Sequence, residues 1–458
     1  MKRLLLTGLV SLLPVAVAWA EGDPPKKTLM AKVCSTCHKI EENTLMGMFD
    51  NISLKARKIQ IKMDDAIEIV NFDPVNFKIK DGEKIETPEY LSEMPKNKEV
   101  RVEYSEKEGK KYATMLSIKQ PLQVPKEMQI TTADLAKLIA MGSENGKYHL
   151  YDSRPPIRTQ DGMIPTAVNL PFPMFDQNVD KLPKEKDSLV IFYCAGVTCA
   201  MSPSSAKKAQ NLGYTNIKVY HEGMPEWSRQ HYVVLTAKAY KEGWLDKGMP
   251  SVLIDLRATE EAEKGHLKGA VTVTQANLQK AIATFPPKGK KAPIIVYGAD
   301  TGEATKAAET ILSSGYGNVK VLQGGMKAWN ESGFLTEKGQ LETKIAYVPK
   351  PKPGEIVFDD FKKIVDSGLK DVLLIDVRPS DEAHRGIIKG ARNIPMVDMD
   401  KQLGDLPKDK AIIAYCNTGT LAEMAYYTLK EKGYTNVKFV NKSLEIDPQG
   451  TYKVFTSR

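Results

Sequence analysis

One pattern occurs three times in this chain, and the repeat constrains the fold more than any other feature. Each copy opens with an apolar strand that ends in Asp-x-Arg, at residues 148–154, 251–257 and 372–378. A second apolar strand follows in each copy, at residues 189–193, 294–297 and 411–415. An alanine-rich helix, a glycine stop and a third strand complete the unit. Because strands alternate with helices in every copy, the sequence predicts α/β domains with parallel sheets covered by helices.

The ends of the copies carry a second shared motif. Residues 223–227 and 325–329 both have the pattern G-M-x-x-W, and the third copy has Asn-Lys-Ser-Leu at 441–444 instead. Together with the strand pattern, these motifs resemble the rhodanese domains of the sulfurtransferase superfamily. The resemblance covers about residues 126–458 and implies three tandem rhodanese-like domains, at residues 126–235, 236–340 and 341–458.

The loop after the second apolar strand is where an α/β sheet binds its ligand, beyond the carboxyl ends of the strands. Cys194, Gly298 and Cys416 hold this position in the three copies. In rhodaneses the matching cysteine attacks a sulfane sulfur donor, carries the sulfur as a persulfide and passes it to a thiol acceptor. The resemblance therefore makes Cys194 the first candidate nucleophile and Cys416 the second. Gly298 cannot form a persulfide, so the middle domain is expected to be inactive.

Both cysteine loops depart from the family pattern. Active rhodaneses commonly carry an arginine there to hold an anionic donor, but residues 194–199 and 416–421 carry no charge. This argues against thiosulfate and leaves two alternatives: an anion held by loop amides, and a neutral or protein-bound donor such as a polysulfide or a persulfide. A catalytic role for Cys194 requires access from solvent; a buried packing thiol is the alternative.

Cys199, five positions after Cys194, adds a second thiol to the first loop. It is a candidate to resolve a Cys194 persulfide by forming a disulfide, which would release the sulfur in reduced form. A static disulfide between the same two residues is the alternative, and the sequence does not separate the two.

The remaining polar residues of the repeats are expected to be structural. The Asp-x-Arg pairs are predicted to be ion pairs at strand ends, since Asp255 and Arg257 persist in the copy that lacks the cysteine. Four histidines recur at no fixed position beside the loops and are expected to be structural or surface residues; these are His149, His221, His266 and His384.

Near the amino terminus, Cys34-Ser35-Thr36-Cys37-His38 has the C-x-x-C-H spacing of covalent haem attachment. Two thiols one helical turn apart can bond the two vinyl groups of a haem, and the adjacent His38 can supply an axial nitrogen to the iron. The sequence resembles c-type cytochromes through these five residues only. It predicts one covalent haem c, whose distal ligand is unassigned. The alternatives are a Cys34-Cys37 disulfide and half of a zinc site, which would need two further ligands.

Residues 21–45 form the predicted haem-attachment segment, and a small β-rich domain is predicted at 46–125. Residues 55–70 alternate apolar and polar side chains, as a half-buried strand does. Residues 100–104 and 112–118 flank the polar turn Glu106-Lys107-Glu108-Gly109-Lys110, which predicts a hairpin.

Residues 1–20 have the features of a cleavable signal peptide. A positive start at Lys2 and Arg3 precedes an apolar run, and Ala18-Trp19-Ala20 offers a small-x-small cleavage site. The chain is therefore expected to be periplasmic or otherwise exported, with no membrane span after cleavage. Basic and acidic residues number 65 and 57 and are interleaved, which argues against a nucleic-acid partner.

These inferences combine into one functional hypothesis and two alternatives. The hypothesis is a periplasmic rhodanese-type sulfurtransferase that uses a sulfane sulfur donor and a thiol acceptor. Its haem would exchange electrons with a redox partner protein such as another cytochrome. One alternative is a non-catalytic electron-transfer or scaffold protein whose rhodanese repeats bind partners. The other is a haem-free sulfur carrier.

Overall fold

The computed structural model describes residues 41–63, 66–342 and 344–454. The predicted signal peptide and the haem-attachment residues Cys34, Cys37 and His38 lie outside the described residues.

The amino-terminal domain is a β-domain, as the alternating pattern predicts. Its strands are β1 (Thr44–Ser53), β2 (Lys58–Met63), β3 (Ala66–Phe72), β4 (Lys78–Asp81), β5 (Lys84–Glu86), β6 (Glu99–Lys107) and β7 (Lys110–Ile118), with the short helix α1 (Tyr90–Glu93). They form one sheet in the order β3-β2-β1-β6-β7-β4-β5, and a parallel pairing of β3 with β7 closes the sheet on itself. The closed part of the sheet consists of β1, β2, β3, β6 and β7. These five strands have the topology of an OB-fold. The hairpin turn lies at Glu108 and Gly109, both with positive φ.

The first α/β domain follows the repeat pattern. Its elements are α2 (Thr132–Gly146), β8 (Tyr148–Asp152), β9 (Val168–Asn169), β10 (Leu189–Tyr193), α3 (Met201–Asn211), β11 (Ile217–Tyr220) and α4 (Gly223–Gln230). The strands form a parallel sheet in the order β11-β10-β8-β9. Val190 and Phe192 pack in one apolar cluster, and Ile191 and Tyr193 pack in another. Both faces of the sheet are therefore covered, which explains why the strand is apolar throughout.

The second domain has the same plan and one extra strand. Its elements are β12 (Val233–Leu235), α5 (Ala237–Tyr240), β13 (Val252–Asp255), α6 (Thr259–Ala262), β14 (Val271–Thr272), α7 (Leu278–Ile282), β15 (Ile294–Tyr297), α8 (Thr301–Ser313), β16 (Val319–Leu322) and α9 (Gly325–Glu331). The sheet order is β12-β16-β15-β13-β14. Residues 233–235 form β12, which pairs with β16 of this sheet.

The third domain repeats the plan with a different ending. Its elements are α10 (Phe358–Asp366), β17 (Val372–Asp376), α11 (Ser380–Ala383), β18 (Arg392–Asn393), α12 (Met399–Gln402), β19 (Ala411–Tyr415), α13 (Thr420–Glu431), β20 (Val437–Phe439), β21 (Leu444–Ile446) and β22 (Tyr452–Val454). The parallel sheet has the order β18-β17-β19-β20. Where the other two domains have a helix with the G-M-x-x-W motif, this one has the β21-β22 hairpin.

The β-domain packs against the third domain and also reaches the first. Ala56 is buried in the apolar cluster that contains Cys416. Lys58 and Lys110 of the β-domain both bind Asp400, with N···O distances of 3.6 and 3.4 Å. Downstream of β7, the Leu122 amide donates to the Val197 carbonyl at 2.8 Å. The β-domain therefore adjoins both loops that carry a cysteine.

Among the described helices, none combines the length and the apolar character that a bilayer crossing requires.

Candidate active site

The first cysteine loop is held at the carboxyl edge of its sheet by close backbone contacts. Cys194 directly follows β10, and its carbonyl oxygen accepts a hydrogen bond from the Met224 amide at 3.0 Å. Gly223 has φ of +60°, and a Cβ atom there would lie 2.4 Å from the Cys194 oxygen. Glycine is therefore required at this position, because both the backbone conformation and the close approach exclude a side chain.

Cys194 is almost completely buried, with an exposed fraction of 1%. Its Sγ atom lies 3.0 Å from the Ser202 Oγ atom and 3.4 Å from the Cys199 carbonyl oxygen. Burial, followed by the hydrogen bond with Cys199, raises the pKa of the Cys194 thiol well above its ordinary value. The residue stands where the sequence places it, but the expected solvent access and the expected stabilisation of its thiolate are not found there.

Those two properties belong to Cys199, which lies in the same loop and is partly exposed. A hydrogen bond with the Cys194 thiol is the largest influence that lowers the pKa of Cys199, to about 7. Amide hydrogen bonds from Met201 and Ala195 act in the same direction, and burial opposes them. About half of Cys199 is therefore in the thiolate form at pH 7.

A positive charge near this loop comes from outside it. Lys119, at the end of β7, lowers the pKa of the Cys199 thiol through its charge. The lysine also forms an ion pair with Glu99 at 2.6 Å. The loop sequence itself carries no charge, so Lys119 was not predicted as a site residue. The sequence holds no local signal for it, because the β-domain brings it to the loop. Ser202 was also missed, although its place in the first turn of α3 is a weak sequence signal.

The second domain has a carboxylate near the position of the missing thiol. Gly298 follows β15, and the Glu303 Oε2 atom lies 3.0 Å from where a Cβ atom on Gly298 would be. The rest of the loop keeps the geometry of the first domain, since the Met326 amide donates to the Gly298 carbonyl at 3.0 Å. The fold of the loop is thus retained without a nucleophile.

In the third domain Cys416 is fully buried and lies among backbone amides. The Gly419 amide donates to the Cys416 Sγ atom at 3.1 Å. Burial raises the pKa of this thiol, and hydrogen bonds from loop and helix amides, including those of Thr418 and Ala422, reduce the rise. The amide cradle predicted from the strand-to-helix junction is therefore present, but the thiol has no exposed surface.

The β-domain fastens the Cys416 loop from outside. The Asn51 amide donates to Thr420 Oγ1 at 3.2 Å. Glu382 accepts a hydrogen bond from the Asn417 side chain at 3.3 Å and forms an ion pair with Lys55. The Cys416 loop and α11, which contains Glu382, are therefore both bonded to the hairpin of β1 and β2.

The Asp-x-Arg motifs are ion pairs at strand ends, as predicted. The Arg154 Nε atom donates to Asp152 at 2.9 Å, and its Nη2 atom donates to the Gly162 carbonyl at 2.7 Å. The Tyr193 hydroxyl completes the network by donating to Asp152 at 3.0 Å. The hydrogen bonds of the arginine recur around Asp255 and Asp376. Each arginine is used to fix a turn of its own domain.

The three described cysteines, Cys194, Cys199 and Cys416, are free thiols. Within the part of the chain that the structure describes, no group of three or more His, Cys, Asp or Glu side chains is arranged to hold a metal ion.

Comparison with known proteins agrees with this architecture. The model of the rhodanese-like domain family matches residues 134–230, 237–332 and 358–445. These three matches cover more than half of the chain, so the chain belongs to the rhodanese-like domain family.

Several characterised relatives match single parts of the chain. A tRNA sulfurtransferase from Shewanella halifaxensis is 36% identical over 78 residues, which is 16% of this chain and 16% of that protein. A sulfurtransferase from Allochromatium vinosum is 34% identical over 68 residues, which is 15% of this chain and 64% of that protein. The chain thus spans less than two thirds of either relative. A solved thiosulfate sulfurtransferase from Pseudomonas aeruginosa aligns over 72% of this chain and 69% of its own, with 20% identity and a TM-score of 0.23.

Proposed function

We propose that this protein is an exported sulfurtransferase that takes sulfane sulfur onto the Cys194–Cys199 loop as a persulfide and passes it to a thiol acceptor. The observation that carries the proposal is the presence of two free thiols in one loop at the carboxyl edge of a rhodanese sheet, one of them with a pKa of about 7. A thiolate is the form of cysteine that attacks sulfur, so the loop has a competent nucleophile at neutral pH. Membership of the family and the names of the relatives support the same reaction class.

The donor is neutral or protein-bound, such as a protonated polysulfide or a protein persulfide. Neither cysteine loop contains an arginine, and the nearby lysine of the first loop is paired with Glu99. A dianion such as thiosulfate would therefore find little positive charge at the loop. A singly charged persulfide needs less compensation.

The test is the intact mass of the purified mature protein before and after inorganic polysulfide, and again after a reductant. The proposal expects the mass of one or two added sulfur atoms, which the reductant removes. A mass that polysulfide leaves unchanged would contradict it. Replacement of both Cys194 and Cys199 by serine is the matched control, since it removes both thiols of the loop and leaves Cys416 in place.

We further propose that Cys34 and Cys37 bind one haem c covalently and that His38 is its axial ligand, which places the protein in the periplasm. The C-x-x-C-H spacing and the signal-peptide pattern support this. A bound haem would supply single-electron exchange with a partner such as another cytochrome. A pyridine haemochrome spectrum after expression in a host that matures cytochromes c tests it. Absence of haem would leave a redox disulfide at Cys34 and Cys37.

A second candidate function is a non-catalytic electron-transfer or scaffold protein. The burial of Cys194 and Cys416 and the glycine at position 298 favour it. It predicts a haem spectrum together with no sulfur transfer from polysulfide, from thiosulfate or from a small-molecule persulfide.

A further inference from the structure

The two thiols of the first loop differ in their access to a donor. Cys194 has an exposed fraction of 1%, and its Sγ atom faces Ser202 and the Cys199 backbone. Cys199 is partly exposed, and its carbonyl oxygen lies 3.4 Å from the Cys194 Sγ atom. A donor in solution therefore meets Cys199 first.

We propose that Cys199 is the residue that takes the sulfane sulfur from the external donor, and that Cys194 receives it in a second, internal transfer. The proposal rests on the proposed function and assigns an order to its two thiols. The order is the reverse of the one in which Cys199 resolves a persulfide first formed on Cys194.

Both steps move a sulfur atom without net oxidation or reduction. In the first, the Cys199 thiolate attacks the outer sulfur of a persulfide donor R–S–S–H. The donor S–S bond breaks, a new S–S bond forms on Cys199, and R–S⁻ leaves. In the second, Cys194 attacks that outer sulfur, its own S–H bond breaks, and the proton ends on the departing Cys199 sulfur. Cys194 then carries the persulfide and Cys199 is a thiol again.

The surroundings of each thiol suit its step. The groups that face Cys199 stabilise an anion: the Cys194 thiol, two loop amides and the charge of Lys119. A thiol with a low pKa is also the better leaving group, so the same groups favour release of the sulfur from Cys199 to Cys194. The burial of Cys194 keeps a persulfide away from water and from other thiols. Ser202, 3.0 Å from its Sγ atom, can donate to the Cys194 sulfur while it is an anion.

The pKa values of the two thiols set a bound on the relative rates at which Cys194 and Cys199 take sulfur from the donor. With a pKa of about 7, Cys199 is half ionised at pH 7. The pKa of Cys194 is raised above 9.0, so this thiol is then ionised to roughly 1% or less, and its stronger intrinsic nucleophilicity recovers about ten-fold of that difference. Direct loading of Cys194 is therefore expected to be at least about five-fold slower than loading through Cys199.

The experiment is a rapid-quench time course of the full-length protein with inorganic polysulfide, followed by alkylation, trypsin digestion and fragment-ion mapping. No lysine or arginine lies between Lys186 and Lys207, so one peptide carries both thiols, and fragments cut between them locate the added sulfur. The variants are Cys199→Ser and Cys194→Ser. Thr198→Ser is the matched control in the same loop.

The expected result is sulfur on Cys199 at early times and on Cys194 later. Cys199→Ser should slow the loading of Cys194 at least about five-fold. Cys194→Ser removes the largest influence on the pKa of Cys199, and any sulfur that this variant gains in the loop should stay on Cys199. Sulfur that appears first on Cys194 in the unmodified protein, or an unchanged rate in Cys199→Ser, would overturn the order and leave the proposed function intact. If neither thiol of the unmodified protein gains sulfur, the proposed function falls as well. The time course of the unmodified protein keeps the test valid should a variant fail to fold.

Discussion

The Cys194 Sγ atom lies 3.4 Å from the carbonyl oxygen of Cys199, and the pKa values of the two thiols shift in opposite directions. The pKa of Cys199 falls to about 7, and that of Cys194 rises well above its ordinary value. A hydrogen bond between two thiols stabilises one anion at the expense of the other, so the pair holds its first negative charge on the exposed member. The reactivity of this loop is therefore a property of the pair.

The charge of Lys119 should contribute to the reactivity of Cys199. In Lys119→Ala the thiolate loses a nearby cation, so the pKa of Cys199 rises and its alkylation by iodoacetamide near pH 7 slows about two-fold. The measurement is the pH profile of alkylation, mapped by peptide. Lys137→Ala is the control, because this exposed lysine lies on α2 of the first α/β domain, which also contains Cys199. An unchanged profile in Lys119→Ala would show that the β-domain leaves this loop electrostatically unaffected.

Ser202 should act on the buried thiol alone. Its hydrogen bond lowers the pKa of Cys194, and one such bond is worth about 0.5–1.5 kcal/mol, or roughly two- to ten-fold in rate. Ser202→Ala should therefore slow the appearance of sulfur on Cys194 by that factor and leave the alkylation of Cys199 unchanged. Ser204→Ala in the same helix is the control. Equal slowing at both thiols would indicate a general disturbance of the loop.

A cysteine restored to the second domain should be a poor nucleophile. In Gly298→Cys the new Cβ atom would lie 3.0 Å from the Glu303 carboxylate oxygen, so the nearby negative charge opposes the thiolate. Adding Glu303→Gln should increase its alkylation rate at pH 7.5 about ten-fold, which corresponds to one pKa unit. Equal rates in the single and double variants would show that Glu303 does not control this site.

Lys320 lies at the contact between the first and second domains. It should make the free energy of unfolding depend on pH. It is buried beside Asp161, donates to the carbonyl of that residue at 2.9 Å and lies 5.2 Å from the ring centre of Trp244. Burial lowers its pKa from 10.5 to about 8. The pKa of Lys320 is therefore lower in the folded state than in the unfolded state. At pH values between these two pKa values, the unfolded state binds more protons than the folded state.

Stability should therefore rise as the pH increases from about 8 to about 10.5, by at most about 3 kcal/mol from this group. The thermal midpoint of Lys320→Met should lack this part of the rise, and Lys306→Met on an exposed helix face should keep it. If the midpoints of the protein and of Lys320→Met change in parallel over this range, Lys320 is not the group responsible.

The sequence was sufficient to predict the repeats and the strands, but not the solvent exposure and the pKa values of the thiols. Residues 189–193, 294–297 and 411–415 are the observed strands, because a strand buried on both faces has to be apolar throughout. The ion pair of Asp152 and Arg154 was also predictable. The same charged pair is present in the second domain, which lacks the cysteine, so the pair has a structural role.

The exposure of Cys194 was not predictable in the same way. It depends on Gly223 and Met224, which a separate helix brings over the loop, and the charge near Cys199 comes from another domain through Lys119. Local patterns determine where a strand ends, whereas access and pKa depend on which distant segments pack there.

The central claim is that the thiols of the first rhodanese domain carry sulfur. The most direct test is the rate at which the full-length protein transfers sulfur from polysulfide to a thiol acceptor, compared with the variant in which both Cys194 and Cys199 are serine. The account predicts that transfer in the double variant falls to the rate seen without protein, apart from any share carried by Cys416. Transfer by the double variant at the rate of the unmodified protein would contradict it.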